Sequence, residues 1–427
     1  MNVADSEVVV SILQKDGYTK TGNIGDAGII FINTCSIREN AEQRVFGRLD
    51  VFRQERKKRP GTLIGVIGCM AERLKEKLLE EKKVDLVIGP DAYRDLPMLL
   101  RMAGTGQQVI NTLLSREETY ADICPVRYDS NGVSAFVSIM RGCNYACAYC
   151  VVPFTRGRER SRDPLSVITE IDELVSNGFR EVTLLGQNVD KYHWHEGGTH
   201  LNFSGLLEKA ALRDKSLRIR FSTSYPSDLT DEVLQTMASY PNICKSIHLP
   251  VQSGSSRILQ KMNRRYTRET YIERIDAIRQ ILPDASLSTD IIAGFCSETE
   301  EDHNDTLSLM ELVMYDFAYM FRYSERPGTF AQLRLTDDVP DDVKSRRLSE
   351  IIDLQNRLSE QSKKEDIGKV FSVLAEGISK KSEYELFGRT SQNKVVVFPA
   401  MHFLPGEYVN VKIISCTSAT LIGEPVI

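Results

Sequence analysis

Over the first 120 or so residues, short β-branched runs alternate with helical stretches. Gly28–Asn33, Thr62–Ile67 and Val84–Ile88 read as strands of an open parallel α/β sheet. From about Pro125 to Thr329, six strand-like runs follow: Ala135–Met140, Glu181–Leu185, Arg218–Ser222, Ser246–Pro250, Ser286–Ile292 and Tyr319–Tyr323. Amphipathic helical stretches separate them, namely Pro164–Ser176, Asp228–Ser239, Arg268–Ile281 and Glu298–Val313, which predicts a partial (β/α)6 barrel. Asp163 is placed to cap the first of these helices, with Pro164 in its first turn. After the charged helical stretch Asp337–Lys364 the pattern changes to short β runs broken by turns: Phe371–Leu374, Glu385–Arg389, Lys394–Phe398 and Tyr408–Ile413. Those runs predict a small closed or nearly closed all-β barrel. The fold class is therefore α/β multidomain, with boundaries expected at 1–120, 125–360 and 364–427.

Three cysteines, Cys143-x3-Cys147-x2-Cys150, follow the first barrel strand directly, at the carboxyl end where such barrels collect catalytic groups. The spacing reads as the seat of a 4Fe-4S cluster: four irons and three thiolates leave one iron open to another ligand. A structural zinc site is the rival, but it needs four closed ligands, and the nearest histidines (His193, His195, His200) lie far downstream. Cys35 and Cys69 end the first two strands of the amino-terminal sheet, where open α/β sheets build their sites. A lone cysteine there would read as a small buried apolar residue; two at equivalent strand ends beside a cluster motif read as ligands.

Charge and length refine this reading without having produced it. The chain has 427 residues, nine cysteines and a formal charge of -5, which argues against a uniformly basic nucleic-acid binder. No apolar run reaches membrane-spanning length, and Met1–Glu7 lacks the basic and apolar regions of a signal peptide, so a cytoplasmic protein with reduced thiols is expected. Local basic stretches remain, Arg53–Arg59 and Arg156–Arg162, each of which is open to reading as a solvated face. Cys244, Cys296 and Cys416 sit in or beside apolar runs and read as structural.

The flanks Arg141-Gly142 and Val151-Val152-Pro153-Phe154-Thr155-Arg156-Gly157 extend the cysteine motif, and the whole string resembles the radical S-adenosylmethionine (SAM) methylthiotransferases. Asn33-Thr34-Cys35-Ser36-Ile37-Arg38-Glu39-Asn40-Ala41 is similar to the branch that acts on isopentenyladenosine in tRNA, and Gly388–Lys394 resembles part of a TRAM domain, an RNA-binding module. The resemblance runs along essentially the whole chain.

It implies two 4Fe-4S clusters and SAM as cofactors. Cys143, Cys147 and Cys150 would hold the catalytic cluster, with Tyr149 beside it; Cys35 and Cys69 match two ligands of an auxiliary cluster. The family places a third cysteine just before a Met-Asn-x-x-Asp-Ser-Glu string, and the sequence opens with that string, Met1-Asn2-Val3-Ala4-Asp5-Ser6-Glu7, so a native cysteine immediately upstream is expected. Gln187, Asn188, Ser222, Gln252, Ser253 and Asp290, at the ends of successive barrel strands, are the expected SAM contacts. Arg156, Arg158, Arg160, Arg162, Arg326, Arg389 and Lys394 are the RNA-contact candidates, although the arginine cluster also reads as pairing with local acids such as Glu159. The family reaction uses one SAM to methylate sulfur on the auxiliary cluster and a second to generate the radical that removes hydrogen from adenine carbon 2. The implied partners are a tRNA anticodon stem-loop with the target at position 37, an external electron donor and a sulfur donor, with the enzyme a monomer and no membrane involved. Two sibling reactions, on threonylcarbamoyl-adenosine in tRNA and on a ribosomal-protein aspartate, are the enzymatic alternatives; an RNA-binding iron-sulfur sensor is the non-enzymatic one.

Overall fold

The computed structural model describes residues 1–35, 39–127 and 131–426. The chain forms two compact units: Met1–Tyr128, Ser138–Ala146 and Cys150–Ser166 make the first, and Asp129–Val137, Cys147–Tyr149 and Val167–Ile427 the second.

In the first unit four parallel strands lie side by side in chain order, Ile29–Thr34, Leu63–Gly68, Leu86–Ile88 and Val109–Asn111. Successive side chains point to opposite faces. Ile64, Val66 and Val87 therefore join Leu49, Phe52 and Met70 on one side, while Ile67, Leu86 and Ile88 join Val8, Leu96 and Leu99 on the other. Helices cover both faces, as a parallel sheet requires. The fourth strand was not expected; of its three residues only Val109 is buried, too short a pattern to read.

In the second unit all six expected barrel strands are present. They form two parallel three-stranded sheets: Arg218–Ser222, Glu181–Leu185 and Ser134–Ser138 in one; Ser246–His248, Ser286–Ala293 and Phe317–Arg322 in the other. A backbone bridge between Ile219 and Ile243 joins the Arg218–Ser222 strand to the turn leading into Ser246. Helices Asp231–Ser239 and Glu300–Val313 start two or three residues later than expected. Thr230 and Thr299 accept from the backbone N–H three residues on and so fix each start. A hairpin, His193–Glu196 with Thr199–Asn202, and the helix Phe203–Ala211 add an unforeseen insertion.

The carboxy-terminal residues close into a five-stranded barrel of Val370–Ser379, Ser382–Arg389, Val395–Pro399, Leu421–Pro425 and Tyr408–Cys416. Its core is built from Val373, Leu386, Val396, Phe398 and Val411. Within the second unit this barrel docks on the amino-terminal ends of the parallel strands. Arg218 donates to the Arg389 and Ser372 carbonyls at 2.6 Å each, and Ser286 Oγ donates to the Gln392 carbonyl at 2.6 Å.

Candidate iron-sulfur and cofactor sites

Two glycines set the cysteine backbones in the first unit. Gly68 has φ +91°, which turns the strand directly into the helix starting at Cys69, and an added Cβ would lie 2.7 Å from the Thr34 carbonyl oxygen. Gly142 has φ +75°, and a Cβ there would meet the Arg158 carbonyl at 2.0 Å; the close approach lets the Cys143 N–H reach the Gly157 carbonyl at 3.2 Å.

Cys35 is half-buried and Cys69 buried. Asn33 donates to the Asn2 carbonyl (2.8 Å) and Ser6 Oγ (2.9 Å), and Thr34 Oγ1 donates to the Ile67 carbonyl (2.7 Å), so the two residues before Cys35 are tied to the amino-terminal helix and the next strand. Ser36, Ile37 and Arg38 of the same string lie outside the described residues. Cys69 Sγ accepts a hydrogen bond from Arg156 Nε at 3.2 Å. Asp5 takes Arg156 Nη2 at 2.7 Å and Arg141 Nη1 at 2.9 Å. Burial pushes the Asp5 carboxyl up, but Arg156 and Arg141 outweigh it and hold it below the ordinary range.

In the second unit the segment Cys147–Tyr149 is pinned by Ala148, whose N–H donates to the Met262 carbonyl (2.9 Å) and whose carbonyl accepts from the Ala331 N–H (2.7 Å). Arg264 reaches Cys147 Sγ at 3.4 Å and the Tyr149 hydroxyl at 3.5 Å, and it donates to Tyr266 Oη and the Pro250 carbonyl at 2.8 and 2.9 Å. Its guanidinium lies over the rings of Tyr225 (4.3 Å) and Tyr266 (5.0 Å). Neither Arg264 nor Arg156 was singled out by sequence for these roles.

Among the described residues no three His, Cys, Asp or Glu side chains converge as a site for one metal ion. Arginine N–H groups on two cysteine sulfurs fit anionic cluster ligands, which outer donors usually support.

Of the expected SAM residues, Gln187, Asn188, Ser222, Gln252 and Ser253 lie at or just past the carboxyl ends of barrel strands, and Asp290 lies within the strand Ser286–Ala293. Gln187 Oε1 and Asn188 Oδ1 are buried without a partner among the described residues, although Asn188 Nδ2 donates to Asp228 at 2.7 Å. Such unmatched acceptors fit a polar ligand. Thr223 (φ +77°) and Gln252 (φ +73°) hold left-handed backbone, and Gln252 also bridges Ile291; strain of this kind collects at binding sites. Ser222 Oγ lies 3.4 Å from Thr223 Oγ1, Ser253 is fully buried with Oγ 3.5 Å from Thr306 Oγ1, and Asp290 lies 3.5 Å from His248 Nε2. A cavity of about 480 Å³ runs down the barrel past Ser222, His248 and Tyr319 to Gln392 and Asn393.

The RNA-contact set needs correction. Arg156, Arg160 and Arg162 are 4, 7 and 4% exposed, and each is turned into the first unit: Arg156 onto Asp5 and Cys69, Arg160 onto Asp91, Arg162 onto the Ser138 and Ala121 carbonyls. Arg389 pairs with Glu181 (2.7 Å) and Glu376 (2.5 Å), and Lys394 with Asp366 (2.6 Å) and Asp316 (3.2 Å), so both help to hold the terminal barrel in place. Arg158 is exposed and lines a hollow with Arg116 and Cys143. Arg326 is half-buried, in a turn closed by Thr329 Oγ1 on its carbonyl at 2.7 Å.

Residues 137–310 match the radical SAM superfamily, residues 1–89 the uncharacterized protein family UPF0004, and residues 364–426 the TRAM domain. Among solved structures, the radical SAM methyltransferase TsrM from Kitasatospora setae superposes with a TM-score of 0.56 at 13% identity, covering 75% of this chain and 69% of that one. The cobalamin-dependent radical SAM enzyme OxsB gives 0.52 at 14%, covering 81% and 53%. The fold and its cysteine loop are those of a radical SAM enzyme with an added TRAM domain. A protein of Amoebophilus asiaticus is 59% identical over 99% of this chain and 90% of its own length, and one of Parabacteroides distasonis 55% identical over 100% and 93%. Both are tRNA-2-methylthio-N(6)-dimethylallyladenosine synthases, and this chain belongs to that family.

Proposed function

We propose that the protein methylthiolates carbon 2 of isopentenyladenosine in tRNA, using SAM and 4Fe-4S clusters. The reading is carried by the full-length likeness to enzymes named for this product. It is supported by the first unit, which brings Cys69 together with Arg156, an arginine from the segment that follows Cys150. Cys143, Cys147 and Cys150 would hold the catalytic cluster, and Cys35 and Cys69 the auxiliary one. When bound, these groups supply the one-electron chemistry that an unactivated C–H bond demands, which no side-chain base provides near neutral pH.

The chain's own residues position and shield. Arg264 holds positive charge beside Cys147; Gln187 and Asn188 offer acceptors to the amino group of SAM; Ser222, Gln252 and Ser253 line the same strand ends, and Asp290 lies within its strand. The target base, at position 37 beside the anticodon, must leave its stack to reach them. Arg158, Arg326 and the undocked face of the terminal barrel are the surfaces for RNA, in modules bounded at 1–120, 125–360 and 364–427. No helix among the described residues is long and apolar enough to cross a membrane, which suits a cytoplasmic enzyme fed by external electron and sulfur donors.

Nucleoside mass spectrometry tests this. Isopentenyl-bearing tRNA, incubated anaerobically with reconstituted protein, SAM and a strong reductant, is expected to yield the methylthio nucleoside. SAM cleaved with adenosine unmodified would move the substrate to threonylcarbamoyl-adenosine or a protein aspartate.

A further inference from the structure

One carboxylate in the first unit receives both arginines that flank the cysteine loop. Arg141 stands two residues before Cys143 and Arg156 six residues after Cys150, and each donates to Asp5, from positions 136 and 151 residues away in sequence. Asp5, Arg141 and Arg156 are 1, 2 and 4% exposed. Asp91 takes Arg160 at 2.9 Å and lies 3.6 Å from Arg141 Nε, so three buried arginines face two buried aspartates in this network and one positive charge is left over. That surplus is directed at sulfur. Arg156 Nε is on Cys69 Sγ, and its Nη1 is buried with no partner among the described residues.

Stability does not explain such a network, because buried ion groups are often replaceable by apolar residues without loss. A guanidinium N–H ending on a cysteine sulfur, with a second unmatched N–H beside it, is instead the arrangement of an outer donor around a metal-bound thiolate.

We infer that Asp5 and Arg156 are positioning residues for the auxiliary cluster. Asp5 holds Arg156 against the Cys69 sulfur and, through Arg141, fixes the opposite flank of the loop that carries Cys143 and Cys150. The two cysteine-bearing segments of the first unit then keep one register. Arg156 donates to the thiolate and places positive charge beside it, which raises the reduction potential of the auxiliary cluster. The inference rests on Cys35 and Cys69 being that cluster's ligands.

The test uses the full chain, reconstituted anaerobically with Cys143, Cys147 and Cys150 changed to Ala so that the auxiliary cluster is seen alone. Iron per chain and the midpoint from an EPR-monitored redox titration are compared for this background, Arg156→Gln, Arg156→Lys, Asp5→Asn and Cys69→Ala. The expected result is a more negative midpoint in Arg156→Gln with iron retained, partial return toward the background in Arg156→Lys, and in Asp5→Asn, where loss of the carboxylate's charge opposes loss of its hold on Arg156, a shift smaller than that of Arg156→Gln. With the three cysteines restored, Arg156→Gln should lower methylthio product roughly 10- to 100-fold, the scale seen when an outer donor to a metal ligand is lost. An unchanged midpoint in Arg156→Gln or, where that variant does not fold, in Arg156→Lys overturns the inference alone. Iron unchanged in Cys69→Ala overturns the ligand reading, and the inference with it.

Discussion

An arginine stands on a cysteine sulfur in each unit, yet the two arginines live in opposite surroundings. Arg156 beside Cys69 shares Asp5 with Arg141, so a buried carboxylate of the protein offsets part of its charge. Arg264 beside Cys147 is held by the faces of Tyr225 and Tyr266, the Tyr266 hydroxyl and the Pro250 carbonyl, and pairs with no carboxylate among the described residues. The Cys69 side therefore has buried carboxylates facing its arginines, with one positive charge in excess. The Cys147 side has no such carboxylate among the described residues, and a buried cation without a counter-charge is costly.

The largest effect expected from this contrast is at the ligands. Cys147→Ser should abolish both 5′-deoxyadenosine formation and the methylthio nucleoside, read by mass spectrometry; Cys69→Ala should abolish the nucleoside alone. Next comes Arg264→Met, expected to lower SAM cleavage roughly 10- to 100-fold. Arg264→Lys should recover little of that loss, since an ammonium cannot lie flat between two rings and fork to Cys147 and Pro250 together. Stability of the cluster-free protein should rank the other way. Asp5→Asn removes the buried carboxylate that Arg156 and Arg141 share, leaving Arg156 without an acid, and should cost about 3–5 kcal/mol in chemical denaturation, whereas Arg264→Met strands no carboxylate and should cost less. Equal costs would erase the contrast.

The smallest effect is a control away from both arginines. Burial opposes ionisation of Asp302, but Arg257, Ser255 and the Thr299 cap overcome it and hold the carboxyl down to about 2. A depressed carboxyl stabilises the fold above its unfolded pKa and loses that contribution as pH falls through the folded value. Asp302 should thus contribute about 2 kcal/mol at neutral pH that disappears between roughly pH 4 and pH 2. Asp302→Asn should flatten the acid limb of a stability-against-pH curve while leaving SAM cleavage at pH 7 unchanged.

What could be read in the sequence was local. The cysteine motif, the six barrel strands and the closed terminal barrel follow from spacing and periodicity over a few residues. The fifth strand of that barrel, Leu421–Pro425, escaped because a glycine interrupts it. Partnerships across more than a hundred residues did not show: Asp5 looks like one more acid in a helix until Arg141 and Arg156 arrive. The same blindness explains the misread arginines. Arg160, Arg162 and Arg389 look basic and available in sequence, and only the fold reveals that they are paired within the protein. A signal for Asp5 was present in the Met1–Glu7 string, where Asn2, Asp5, Ser6 and Glu7 each make a tertiary contact.

The terminal barrel grips the residues that begin the parallel strands, Glu181, Arg218 and Ser286, whereas Gln187 and Ser222 lie beyond or at the far ends of those strands. At about 3.3 Å per residue, strands of five or six residues separate the two faces by roughly 20 Å. A single nucleoside is shorter than that distance, whereas a folded stem-loop exceeds it, so the size of a bound molecule decides whether it can reach the strand ends and the terminal barrel at once.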